Sequence, residues 1–323
     1  MLDEIPKLFG RGFIFGYVLP VLIVVIYLAY GAGLDVLDIG PFALVDLEKL
    51  GKAVFSTVLI AFLMLILNRP LVRILEGYGR LNPLRLLGGW SRRRYDRLYV
   101  PVAIEWDRLE AAWKQNNDAK PDSALAKAGA QAAAAWPARR EHVLPTPFGN
   151  TYRAFESYPA IVYGMDAVVF WPRLSAILPK GAQELLQDSR ARLDFHITLF
   201  WGSLIDAAIV AVYAQGWMAR LPAIPPLIMT TLLWLTLPNA ARAWGTSFTA
   251  MFDLYRRPLA NSMGFELPPT AQQERQMWYD LSRVLLFRRA YTLDCLNSNR
   301  AIRAPEPLQA VTENRSNDGE SQE

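Results

Sequence analysis

Four long apolar runs dominate this chain: residues 13–30, 50–67, 195–218 and 224–240. A helix that crosses a bilayer needs about 20 mostly apolar residues, each rising 1.5 Å. The runs therefore predict an all-α integral membrane protein with four transmembrane helices. The third run, FHITLFWGSLIDAAIVAVYAQGWM, carries Asp206 near its middle. The first spans 18 residues, more than the roughly 7–15 of a signal-peptide apolar core. It is expected to be a retained helix although Ala29-Tyr30-Gly31 loosely resembles a cleavage site. Pro20 is expected to kink it.

Arginine fixes the expected orientation. The loop between the first two runs holds Asp35, Asp38, Asp46 and Glu48 against Lys49. After the second run come Arg69, Arg73, Arg80, Arg85, Arg92, Arg93, Arg94 and Arg97. Positive residues beside spans stay on the cytoplasmic side. Both termini and the long middle segment are thus expected inside, at the inner (plasma) membrane. Arg242, Arg256 and Arg257 agree, and Arg220 in the short outer turn is the exception. The expected organisation is residues 1–68 as a first transmembrane hairpin, 69–194 as a helical cytoplasmic insert and 195–240 as a second hairpin. Residues 241–304 follow as a helical cytoplasmic tail and 305–323 as a disordered acidic tail.

The net charge of +4 hides an asymmetry, because residues 305–323 hold five acids against Arg315. The positive excess lies beside the spans, where it suits anionic lipid headgroups rather than nucleic acid. Arg92–Arg94 with Trp90 and Tyr95 read as such an interfacial anchor. One cysteine, Cys295, excludes an internal disulfide, and two histidines exclude a histidine-rich metal site. No cofactor is expected. There is no P-loop, GxGxxG, HExxH or GxSxG.

Within the insert, residues 103–114 have helical spacing, with Ile104, Trp106, Leu109 and Trp113 available for burial. Residues 116–121 form a polar turn, residues 123–136 an alanine-rich helix or tether, and residues 180–193 a further helix with Leu185, Leu186 and Leu193 on one side. Beyond the fourth run, Trp244, Phe248, Phe252 and Tyr255 make an aromatic stripe on a helix that Arg257-Pro258 should end. Thr270 and Gln273 have capping-box spacing and open a helix to about Asp294, faced by Trp278, Leu281, Val284 and Leu285. Asn68-Arg69-Pro70-Leu71 and Arg256-Arg257-Pro258-Leu259 echo each other weakly, as repeated membrane halves do.

Two groups are candidate sites. An ionised carboxylate at mid-bilayer costs about 2.5–3.5 kcal/mol on the lenient scale. Asp206 should therefore face the bundle interior, find a donor or be protonated, with Thr230 and Thr231 at similar depth on the fourth span. It is either a proton or cation site or a packing contact between helices. The other group lies in residues 144–179. There Pro145, Pro147 and Gly149 mark a turn, Asn150 is placed to cap the next helix, and Arg153 can pair with Glu156. Gly164 and Asp166 mark a second turn and helix start, and Trp171-Pro172-Arg173 should break that run. The pattern LPT-x-x-GN, RA-x-E, then YG-x-DAVV-x-WPRL resembles a family of uncharacterised bacterial membrane proteins. That resemblance implies the same span–insert–span layout and no particular chemistry.

Asn150, Arg153, Glu156, Asp166 and Arg173 are expected to form a structural or partner-binding network. No cysteine or histidine within the motif completes a nucleophile–base pair. The chain is thus expected to be a non-enzymatic membrane-anchored module, whose cytoplasmic helices bind a protein partner or sense a signal and whose spans can form a homo-oligomer. The alternative is an oligomeric channel or proton-coupled transporter centred on Asp206.

Overall fold

The computed structural model describes residues 10–31, 47–116 and 123–288. Among these every regular element is helical and no strand occurs. The elements are α1 (Arg11–Ala29), α2 (Leu47–Glu76), α3 (Gly88–Leu98), α4 (Val100–Asn116) and α5 (Ser123–Ala135). Then come α6 (Pro147–Tyr163), α7 (Ala167–Ile177), α8 (Lys180–Tyr213), α9 (Ile224–Ser262) and α10 (Ala271–Phe287). Four helices are long and apolar enough to cross a membrane: α1, α2, α8 and the helix that contains α9.

Pro20 is absorbed within α1. A π-helical turn over Ile14–Val18 immediately precedes it, and widening the register relieves the clash between a proline ring and the carbonyl one turn back. α1 packs against α2 through Tyr17, Val21 and Val25, and against α8 through Gly16 and Val24. α8 and α9 pair along their length, with Leu193, Ile197, Phe200, Leu233, Leu237 and Ala241 at their contact.

Both central helices outrun a bilayer. At 34 and 39 residues they measure about 51 and 58 Å, against an apolar layer of about 30 Å. The separate helix expected over residues 180–193 is the first half of α8, and α8 stops at Tyr213 rather than running on to Met218. Leu186 and Leu193 are buried, but Leu185 is exposed.

The extensions carry the second core. Phe155, Phe170 and Leu174 meet Met251, Phe252, Leu259 and Trp278 there, and Trp244, Phe248 and Phe252 stack along one face of α9. Two expected helix breaks do not occur. α7 runs through Pro172 and α9 through Pro258. A proline removes one hydrogen bond, whereas Leu174, Leu259 and Ala260 beyond the two prolines are fully buried, and that packing holds the helix.

The alanine-rich segment is a helix, α5, laid against α4 and α6. Burial along α4 differs from expectation, since Ile104 and Trp106 are exposed and Leu109 is half-buried. α10 opens as predicted, with Thr270 accepting from the Gln273 amide at 3.3 Å. It ends at Phe287, with Arg288 in the left-handed region. Buried Met277, Trp278 and Leu281 pack it on α6 and α7. The acidic loop after α1, the polar turn after α4, Cys295 and the expected disordered tail lie outside the described residues, as does the Trp113 side chain.

Candidate functional site

The 144–174 pattern is a set of joints. Thr146, rather than Asn150, caps α6. Its hydroxyl accepts from the Gly149 amide at 2.9 Å and donates to the Leu75 carbonyl at 2.6 Å, fastening α6 to the end of α2. Gly149 lies so close to Glu76 that a Cβ there would sit 2.7 Å from the Glu76 carbonyl oxygen. Asn150 is inside the helix and 1% exposed. Its carbonyl accepts from the Leu144 amide at 2.7 Å, and its amide donates to Ser91 of α3 at 2.9 Å and the Leu144 carbonyl at 3.0 Å.

The second half repeats the design. α6 and α7 form an 86° elbow with Gly164 at the corner, at φ 74°. A Cβ on Gly164 would meet the Arg275 carbonyl oxygen at 2.4 Å, so α10 passes directly over the elbow. Asp166 caps α7 by accepting from the Val168 and Val169 amides at 2.9 and 3.1 Å. Its own amide donates to Ser282 of α10 at 3.1 Å. Arg153 and Glu156 pair loosely at 3.5 Å, and Arg173 donates to the Val169 carbonyl at 2.7 Å. Among the described residues the five network candidates make no common cluster. Each serves its own joint or its own helix.

Asp206 faces the interior and is 2% exposed. It lies on the same face of α8 as Gly202, which meets Val24 of α1, and Val210, which packs with Leu28. Among the described residues no donor hydrogen-bonds its carboxylate. Thr230 and Thr231 do not reach it, because their hydroxyls donate to the Pro226 and Leu227 carbonyls of their own helix, each at 2.8 Å. Tyr27 of α1 donates its hydroxyl to the Pro222 carbonyl in the turn between α8 and α9.

Sequence reasoning missed a polar knot at the end of the bundle nearest α6. Asn68 of α2 donates to Asp194 at 2.9 Å and also to the Tyr17 hydroxyl. Arg190 pairs with Asp194 at 3.0 Å, donates to Tyr152 at 3.2 Å and lies over the Trp244 ring at 5.1 Å. One residue set thus ties all four long helices to α6. Polar residues flanking the apolar runs were its only signal. A similar set holds α6 to the extension of α9, where Asp253 accepts from Tyr158 at 2.9 Å and Tyr163 at 2.7 Å.

A groove of about 640 Å³ lies between α4 and α5. Val102, Ala103 and Trp106 form one wall, alanines of α5 the other, and Tyr158 and Val162 of α6 the floor. Trp106 is 42% exposed. Arg140 grips Asp96 of α3 through two bonds of 2.7 and 2.8 Å and fixes the turn that follows α5. That hydrogen bonding holds the Asp96 carboxyl below its ordinary range. Among the described residues no group of histidine, cysteine and carboxylate side chains is placed to hold a metal. The comparisons with known proteins returned no family model, no curated protein and no solved structure that matches this chain.

Proposed function

We propose that this chain is a membrane-anchored docking module. Its four long helices sit in the inner membrane with the arginine-rich side and both termini in the cytoplasm, and the groove between α4 and α5 receives a helix of a cytoplasmic protein. The groove carries the reading. It is largely apolar, with Asp107 in its lining, and its α5 wall is built of alanine and glycine, small side chains that let a second helix approach closely. An exposed tryptophan stands at its edge, in the manner of grooves that seat one face of an amphipathic helix. The 144–174 pattern supports the anchor, since its residues lock the insert to the membrane helices.

The test places a photo-crosslinking residue at Trp106 in cells. The expected result is one crosslinked protein that is lost when Ala130→Arg fills the groove and kept when exposed Arg108→Gln changes charge elsewhere. Equal capture by the Ala130→Arg protein would sink the reading.

Buried Asp206, whose carboxylate finds no donor among the described residues, favours a second reading, an oligomeric ion channel or proton-coupled transporter. Purified protein in liposomes should then carry an ion or proton flux that Asp206→Asn abolishes at equal expression. No flux from the folded wild type ends this reading and leaves Asp206 as a packing contact.

A further inference from the structure

Arg242 lies near the end of the apolar part of α9. Among the described residues it makes no ion pair and its side chain no hydrogen bond, and its Nε is buried without an acceptor. It borders an open pocket of about 220 Å³ between α5, α6 and α9. The rest of the lining is Ala130, Ala133, Ala134 and Ala154 with Phe155, Tyr158, Gly245, Thr246 and Thr249, and it includes no carboxylate. The nearest acid along α9, Asp253, is already held by Tyr158 and Tyr163. The hydroxyls of Thr246 and Thr249 donate to carbonyls of their own helix at 3.0 and 3.2 Å.

A guanidinium always carries its charge, and a buried donor without an acceptor costs about 1–3 kcal/mol, more when charged. An anion that enters this pocket removes that cost. The walls decide which kind. They are mostly alanine and aromatic carbon, which suits an anion carried on an apolar stem. A strongly hydrated free phosphate meets too few donors here. The pocket also opens beside the α4–α5 groove, with which it shares Ala130, Ala133 and Tyr158.

We propose that Arg242 is a carboxylate-binding residue, and that the helix docked in the groove places a glutamate or aspartate side chain on it. This rests on the docking reading and adds a chemical requirement to the partner: an acidic residue on its apolar, groove-facing side.

Two measurements test it. In the first, hexanoate and hexanol are the probes, added to purified protein while its thermal unfolding is followed. Hexanoate is expected to raise the midpoint of the wild type, hexanol to leave it unchanged, and Arg242→Gln to lose the hexanoate response. Arg242→Lys, which keeps a charge without the planar fork, should keep part of it. Equal response to acid and alcohol, or an undiminished response in Arg242→Gln, overturns the site. In the second, the Trp106 crosslink is repeated in Arg242→Gln. A drop of at least tenfold in yield with the folded variant is expected. Undiminished yield, with capture still lost in Ala130→Arg, overturns the carboxylate contact and leaves the docking module standing. Undiminished capture in both variants overturns both.

Discussion

Gly149 and Gly164 carry the heaviest structural duty of single residues in this chain. Each stands where a neighbouring backbone passes too close for a β-carbon, Glu76 at the first and Arg275 at the second. The two are not equivalent. Gly149 has a helical backbone, so Gly149→Ala meets only a steric clash, and an overpacked contact costs roughly 1–3 kcal/mol. Gly164 adds a left-handed backbone that disfavours other residues. Gly164→Ala is therefore expected to lower the thermal midpoint in detergent more than Gly149→Ala does, and both should lower it. An unchanged midpoint in either variant would refute the corresponding close approach. Neither role was legible beforehand. The sequence marks both glycines as turn residues, and only the packed structure shows what passes over them. Asn150 is a similar case. An asparagine after Pro-Phe-Gly reads as a cap, yet Thr146 takes that place and Asn150 turns inward to serve Leu144 and Ser91.

At the scale of helices, apolar length was the legible quantity. All four long helices appear where hydropathy puts them, because twenty apolar residues have few other stable arrangements. Their ends were less legible. Pro172 and Pro258 signal stops locally, but Phe170, Leu174, Leu259 and Ala260 are committed to one core on either side of them, and packing overrides the lost hydrogen bonds. Periodicity also misjudged α4, whose Trp106 has the spacing of a core residue and yet stands at the rim of the groove. A spacing rule identifies a face of a helix. It does not say whether another helix of the same chain covers that face.

Taken whole, the insert between the second and third long helices owns only a small core around Tyr95, Trp136 and Val143 and shares its main one. Met165, Phe170 and Leu174 come from the insert, but Met251, Phe252, Met277 and Trp278, which complete the cluster, come from α9 and α10. A fragment of residues 69–194 would expose that apolar surface and lose the Asp253 and Ser282 contacts. It is expected to show helical circular dichroism without a cooperative melt, whereas the full chain in detergent melts cooperatively. A sharp two-state transition of the isolated fragment would show a self-sufficient domain and refute this division of the core.

If α9 crosses a membrane as proposed, one unbroken helix leads from the apolar layer into that shared core. About 28 Å of the helix extends past a 30 Å layer, so a tilt of ~5° swings its far end by roughly 2 Å. Tilt is the ordinary response of a long helix to a thinner or thicker bilayer. In a membrane, bilayer thickness would thereby be geared to the position of Tyr255 and Leu259, about 17 and 22 Å beyond a layer that begins at Ile224.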